Sequence, residues 1–230
     1  MRGQVDSVAR FQHRSVAPQP VAPFPLWLRV GFWACILISV VVVIRRVFAL
    51  ASPPPSAPPQ LAALDQVFAS HTTLTLAHIL PALVFVMVAP FFVFRDSADT
   101  AWPDYLLFPV GTMVGITAYA MSNYSIGGWL ERSAVLVFNT LFLASLARAY
   151  WFMRRGELLL KRRWLLRAIA ILLGIATTRP VMGIFFATSS LTHLQPDQFF
   201  GMAFWIGFSI NTCLFELWLH FRDRSHASLK

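Results

Sequence analysis

Charged side chains lie inside long apolar runs of this 230-residue chain, where each needs a partner or water. The clearest case is residues 161–180, KRRWLLRAIAILLGIATTRP, in which Arg167 and Arg179 stand within otherwise apolar sequence. An arginine at the centre of a membrane helix costs about 2.5–3.5 kcal/mol by insertion scales. The two residues therefore predict partners on neighbouring spans or a polar cavity inside the membrane.

A first polar group is predicted near one membrane face. At about 1.5 Å of helix per residue, Arg148, Arg167 and Glu216 all lie about 6–8 Å from the same boundary, and His220 follows Glu216 by one turn. Two arrangements are open: an inter-helix ion pair, or arginines that extend to the interface while Glu216 pairs with His220. A glutamate cannot extend as far as an arginine, so the sequence favours an inter-helix ion-pair network, with Arg167 and Glu216 as its main buried pair.

A second polar group is predicted toward the opposite face. It contains side chains from three spans that could line a ligand-binding cavity: His78, Thr177, Arg179 and Asn211. A histidine there could also ligate haem, but transmembrane haem b normally needs two histidines that face each other, and His78 is the one histidine well inside a span on this side. A hydrogen-bonded or pocket-lining His78 is therefore favoured over a haem ligand. No cofactor and no metal site are predicted.

Catalytic signatures are not found in the sequence. It contains no HExxH, P-loop or GxSxG motif, and no HxE with CxxC arrangement. Hydrolase, nucleotide-driven and deaminase chemistries of the known types therefore lack their residues. The sequence leans against an enzyme, and no catalytic residue is predicted.

Six apolar runs must position these residues. The chain is 57% hydrophobic and only 13% charged, a balance that excludes an ordinary soluble domain. Each run is long enough to form a membrane-spanning helix. The predicted fold is an all-α integral membrane protein, a bundle of six transmembrane helices at about residues 26–44, 71–94, 105–121, 132–153, 164–187 and 199–221.

The segments outside the core follow from composition. Residues 1–25 are predicted to form a disordered, basic and proline-rich cytoplasmic tail, and residues 26–50 a first transmembrane helix that is retained rather than cleaved as a signal peptide. Residues 51–70 are predicted to be a proline-rich outer linker, extended at its prolines. The five-helix core then covers residues 71–222, and residues 223–230 form a second cytoplasmic tail.

The orientation follows from the distribution of lysine and arginine. These residues are concentrated in the two tails and in the second and fourth loops, which predicts that both termini are cytoplasmic. The net charge of +9 is interpreted as this topogenic signal, so no nucleic-acid partner is expected. Arg45 and Arg46 are the discordant pair, and Asp65, Glu131 or Asp197 on the same side could neutralise them.

About two thirds of the chain, from residue 76 to the end, resembles the bacterial membrane-protein family catalogued as domain of unknown function 2306. The resemblance comprises a histidine early in the second span, Arg-Arg-Trp and a further arginine opening the fifth span, Thr-x-Arg later in it, and an asparagine and a glutamate five apart in the last span. The matching residues are His78, Arg162, Arg163, Trp164, Arg167, Thr177, Arg179, Asn211, Glu216 and Trp218.

This chain departs from the family pattern in two places. Residues 96–105, DSADTAWPDY, lack the family's His-Arg and Gly-Arg pairs at the entry to the third span, and Lys161 stands where a second histidine is common. A histidine-dependent activity of the family, if it has one, would be lost or altered here. The resemblance implies the fold and the polar positions but no substrate, because the family has no assigned reaction.

Two functions of different classes are expected. The first is a non-enzymatic structural or partner-binding subunit of a membrane complex in the bacterial inner membrane, with the lipid bilayer and other membrane proteins as its partners. The alternative is a small transporter or a membrane protein that binds a lipid, a quinone or an anion. A b-type cytochrome is the least favoured possibility.

Overall fold

A computed structural model of the protein describes residues 24–52, 59–94 and 102–227. The described residues form helices and short connections, without a β-strand. The helices are α1 (Leu26–Ala51), α2 (Pro59–Ser70), α3 (Thr72–Val93), α4 (Trp102–Met121), α5 (Gly128–Arg154), α6 (Leu158–Thr192) and α7 (Pro196–Ala227), with a 3-10 turn at Ser122–Tyr124. Within these ranges, every helix except α2 is long and apolar enough to cross a membrane, which confirms the prediction of an all-α protein with six helices that could span a bilayer.

Two segments predicted to lie outside the spans contain helix. The linker predicted at residues 51–70 contains α2, which begins at Pro59, because proline is tolerated at the first helical position, where its missing N–H would have no intrahelical acceptor. The tail predicted from residue 223 is helical as far as Ala227, since no glycine or proline interrupts α7 there. The tail at residues 1–23 and the prolines at 53–58 lie outside the described residues.

Helix α6 is the centre of the bundle. It packs along both α5 and α7, and α3 packs along α4. In its most apolar stretch 44% of the residues are buried, compared with 17% in α1, which is therefore the most peripheral span. The core includes fully buried side chains from four helices: Phe85, Leu107, Leu165 and Phe199.

The close approach of α6 and α7 depends on glycine. Gly207 of α7 lies against the backbone of Thr178, so that a Cβ atom at position 207 would be 2.6 Å from the Thr178 nitrogen. Thr178 itself is completely buried. This contact fixes the height of α6 relative to α7, and with it the positions of the polar residues on either side of Thr178.

An ion pair between helices marks each end of the bundle. At one end, the Asp65 carboxylate of α2 binds Arg46 (Nη1–Oδ1 2.5 Å) and Arg45 (Nη2–Oδ2 3.0 Å) of α1. At the other, Lys161 Nζ of α6 lies 2.6 Å from Asp104 Oδ2 of α4. Of the three acids expected to neutralise the two arginines, the structure selects Asp65. We refer below to the Asp65 end and the Asp104 end.

Candidate ligand-binding cavities

A cavity of about 250 Å³ lies inside the Asp65 end of the bundle. Its deeper walls are apolar and include Val86, Phe142 and Leu172. Three charged side chains line it toward the Asp65 end, and they are Arg46, Glu131 and Arg179. We call it the arginine cavity, and its combination of an apolar body with a few convergent polar groups is typical of ligand sites.

The Arg179 guanidinium has few hydrogen-bond partners and no close counter-charge among the described residues. Among the described residues its guanidinium makes one hydrogen-bonding contact, from Nη1 to Met182 Sδ at 3.8 Å. Glu131 is near enough to interact with it electrostatically, but no carboxylate of the described residues lies within 4.0 Å of it. A guanidinium carries five N–H donors, so Arg179 keeps most of its donor capacity for a ligand or water.

Arg46 is held at the edge of the same cavity. It donates to Asp65, and its guanidinium carbon lies 4.0 Å from the centre of the Phe68 ring of α2. Arg45 shares the same carboxylate. Arg45, Arg46 and Arg179 carry three positive charges against the two negative charges of Asp65 and Glu131, so the group is left with one uncompensated positive charge.

Glu131 is positioned by a tight crossing of α5 and α7. It lies in the first turn of α5, where its Oε2 accepts a hydrogen bond from the Gly127 nitrogen at 2.7 Å. A Cβ atom at Gly127 would be 2.7 Å from the Gly201 nitrogen of α7, so two glycines allow the backbones to meet here. The carboxylate is therefore tethered to its own helix terminus, which limits its reach toward Arg179.

His78 lines the arginine cavity and is hydrogen-bonded, as predicted. Its Nδ1 lies 3.0 Å from Thr117 Oγ1 of α4, and that hydroxyl is also 2.8 Å from the Met113 carbonyl oxygen. When the hydroxyl donates to the carbonyl, the imidazole donates from Nδ1. His78 thus adds a polar ring to the wall of the arginine cavity.

The four residues predicted to line one cavity line two. His78 and Arg179 belong to the arginine cavity, whereas Thr177 and Asn211 line a second cavity of about 390 Å³ between α1, α6 and α7. The single-cavity prediction is wrong because residues two positions apart on a helix point about 200° apart, so Thr177 and Arg179 face opposite sides of α6. We call the second space the amide cavity. Ile38 of α1 lines both.

The polar group predicted near the other face is smaller than expected. Arg167 donates to Glu216 at two points, but the Arg148 guanidinium lies over the Trp164 ring, 4.8 Å from its centre. In the described residues, His220 makes no hydrogen bond or ion pair with Glu216. The Arg167 guanidinium also lies near the Trp164 ring, 4.6 Å from its centre, and the predicted network is reduced to the single Arg167–Glu216 pair. Glu216 is exposed at the protein surface, so the pair is not buried within the helix bundle.

The sequence interpretation did not assign Arg46 or Glu131 to a ligand site. A signal for Arg46 was present, because Arg45 and Arg46 break the charge pattern of the loops and so need a local explanation. Glu131 was expected only as one of three acids that could neutralise Arg45 and Arg46, and its distance from Arg179 depends on how α5 crosses α6 and α7. Tertiary geometry was needed to bring them together.

Comparisons with known proteins give no relative for this chain. The sequence matches no protein-family model and no curated protein, and no solved structure matches it. The resemblance to the family of unknown function described above therefore stays a prediction, and the function is inferred from the two cavities.

Proposed function

We propose that the protein is a multi-pass membrane protein that binds an amphipathic anion in the arginine cavity. The acidic headgroup lies against Arg179 and Arg46, and the apolar body fills the space toward Phe142. The observation that carries the proposal is the partly buried Arg179 guanidinium, which lines an apolar cavity without a carboxylate of the described residues within 4.0 Å. An intramembrane arginine needs a counter-charge, and a ligand can supply it.

Charge and shape support this ligand class. The group of three arginines and two carboxylates has one excess positive charge, which one carboxylate or phosphate ester would neutralise. A guanidinium binds such groups through two parallel hydrogen bonds. Among the lining residues of α5, Glu131 and Phe142 are about 16 Å apart along the helix at about 1.5 Å per residue, so the cavity has the length for an acyl chain.

This proposal takes up the alternative expected from the sequence, a membrane protein that binds a lipid, a quinone or an anion. The role as a partner-binding subunit of a membrane complex stays a prediction. We also propose a bacterial inner membrane as the location, with both termini cytoplasmic. The charge of the loops supports the orientation, and the family resemblance supports the bacterial membrane.

The test compares an anion with its uncharged counterpart. Radiolabelled laurate and dodecanol are bound to the protein in phosphatidylcholine nanodiscs, with empty nanodiscs subtracted. Arg179→Gln should weaken laurate binding at least tenfold and leave dodecanol unchanged. Arg148→Gln is the matched control, since Arg148 does not line the arginine cavity, and it should change neither. Unchanged laurate affinity in Arg179→Gln, or an equal loss for both probes, would show that the cavity does not recognise the charge.

A further inference from the structure

The amide cavity has a chemical character different from that of the arginine cavity. It is bounded by α1, α6 and α7, with Val93 and Phe94 at the end of α3, and almost all of its lining side chains are apolar. Arg29 is the one charged residue that lines it, and Arg29 lies about 9 Å along α1 from Cys35 at about 1.5 Å per residue. The region around Cys35 is therefore uncharged, and a charged headgroup there would have no counter-charge.

Helices α1, α6 and α7 together place one small group of polar side chains in this apolar cavity. Thr177 Oγ1 of α6 donates to Asn211 Oδ1 of α7 at 2.7 Å, which fixes the amide oxygen. The amide nitrogen then lies 3.5 Å from the Ala170 carbonyl oxygen and 3.9 Å from Cys35 Sγ of α1. The Ala170 contact is longer than the usual range of about 2.7–3.2 Å for a strong N–H···O bond, and the Cys35 contact is to sulfur, which is a weak acceptor. The amide therefore retains donor capacity while its acceptor oxygen is occupied.

We infer that the amide cavity binds a neutral, lipid-soluble molecule through a carbonyl oxygen, which accepts a hydrogen bond from the Asn211 amide. An uncharged donor inside an apolar cavity selects a neutral acceptor, since a charged ligand would lose its hydration without an opposite charge to replace it. The carbonyl has two natural sources in a membrane, the ring of a quinone and the ester of a lipid chain. This site is distinct from the anion site, because Thr177 and Arg179 face opposite sides of α6.

Cys35 provides a reporter at the site. The chain has two cysteines, so Cys213→Ser leaves Cys35 as its single thiol. The alkylation rate of Cys35 by N-ethylmaleimide is measured in nanodiscs of diether phosphatidylcholine, of the corresponding diester lipid, and of the diether lipid with decylubiquinone. The ring of decylubiquinone is fully substituted and does not itself alkylate the thiol. Dodecylbenzene, which has an apolar chain and no carbonyl, serves as the control ligand.

A carbonyl ligand should protect Cys35. Alkylation at least threefold slower with decylubiquinone, but not with dodecylbenzene, identifies a quinone-type ligand, whereas slower alkylation in diester than in diether lipid identifies the ester. Asn211→Leu and Thr177→Val should each remove the protection, the second by releasing the amide. Arg179→Gln should retain it, which separates this site from the anion site. Equal rates in all matrices, or protection that survives in a folded Asn211→Leu variant, would overturn the inference.

Discussion

Arg167 reaches from α6 to α7 and holds Glu216 at two points, with Nε 2.5 Å from Oε1 and Nη2 3.0 Å from Oε2. The side chains are 20% and 46% exposed. Because exposed ion pairs contribute about 0.2–1 kcal/mol, we expect a coupling free energy of about 1 kcal/mol or less between Arg167→Met and Glu216→Met. The measurement is a double-mutant cycle on the free energy of unfolding in mixed micelles.

The same cycle with Arg148→Met in place of Arg167→Met is the control, and its two losses should add. A coupling of about 3 kcal/mol or more between Arg167 and Glu216 would instead match a buried pair, and would show that surrounding lipid keeps water from the carboxylate.

Breaking the ion pair at the Asp104 end should reduce the free energy of unfolding more than breaking the Arg167–Glu216 pair. Asp104 and Lys161 are 9% and 14% exposed, so removing one partner leaves a charge in a largely dry site. We expect Asp104→Leu to reduce the free energy of unfolding by about 3–5 kcal/mol, and the double variant with Lys161→Met to lose less. Asp197→Leu is the control, since Asp197 is exposed, and it should stay within about 0.5 kcal/mol of the parent. Similar losses in the single and double variants would mean that the charge of Lys161 is solvated without Asp104.

The close crossing of α6 and α7 predicts that alanine substitutions at two glycines have opposite effects on stability. Gly207→Ala places a Cβ atom 2.6 Å from a backbone nitrogen that cannot rotate away, so the helices must separate, at a cost of about 1–3 kcal/mol. Gly183→Ala on α6 meets nothing within 4 Å and should be neutral or stabilising by up to about 1 kcal/mol. Thermal unfolding of the two variants in the same detergent measures the difference. A harmless Gly207→Ala would mean that the contact is looser than the structure has it.

Glu131 should compete with the anion proposed for the arginine cavity. Glu131→Gln removes a negative charge near Arg179 and keeps an oxygen that can accept the Gly127 hydrogen bond. We expect laurate to bind about threefold to tenfold more tightly, since a change of about 1 kcal/mol in interaction free energy is about fivefold in affinity. Glu157→Gln, an exposed carboxylate at the start of α6, is the control and should have no effect. Weaker laurate binding in Glu131→Gln would assign that carboxylate a direct role in holding the ligand.

The helix order predicts the membrane topology. Ser125 and Gly156 are at the two ends of α5, so reporter fusions at these positions must lie on opposite sides of the membrane. The loop charges further predict that Ser125 is outside and that Gly156 and the C-terminus are inside. Alkaline phosphatase and green fluorescent protein fusions report the two sides. If the reporters at Ser125 and Gly156 were found on the same side of the membrane, α5 could not be a membrane span.

The sequence was sufficient to predict the number of helices that could span a membrane, because apolar length is a property of consecutive residues. It was also sufficient to bring Arg167 together with Glu216, because helical rise converts position along the chain into depth. Helix ends were harder to predict: α2 begins at Pro59 within a segment expected to be extended, because a proline at the first helical position costs nothing.

Depth alone could not show which side of a helix each residue faces. Thr177 and Arg179 lie at nearly the same depth but line separate cavities, and Arg148 turns toward Trp164 rather than toward Glu216. The direction in which each side chain faces depends on the rotation of its helix about the helix axis. That rotation is set by packing at contacts such as Gly207 with Thr178. Those contacts join residues that are distant in the chain, so no local sequence pattern predicts them.

Ile38 belongs to the walls of both cavities, and it sits on the most peripheral of the spans. A molecule that displaces this side chain when it enters one cavity changes the volume of the other cavity. By thermodynamic linkage, the anion proposed for the arginine cavity would then alter the affinity for the carbonyl compound proposed for the amide cavity, and the reverse effect would be of equal size. The two sites together would make the protein responsive to the ratio of two membrane-soluble molecules rather than to either one alone.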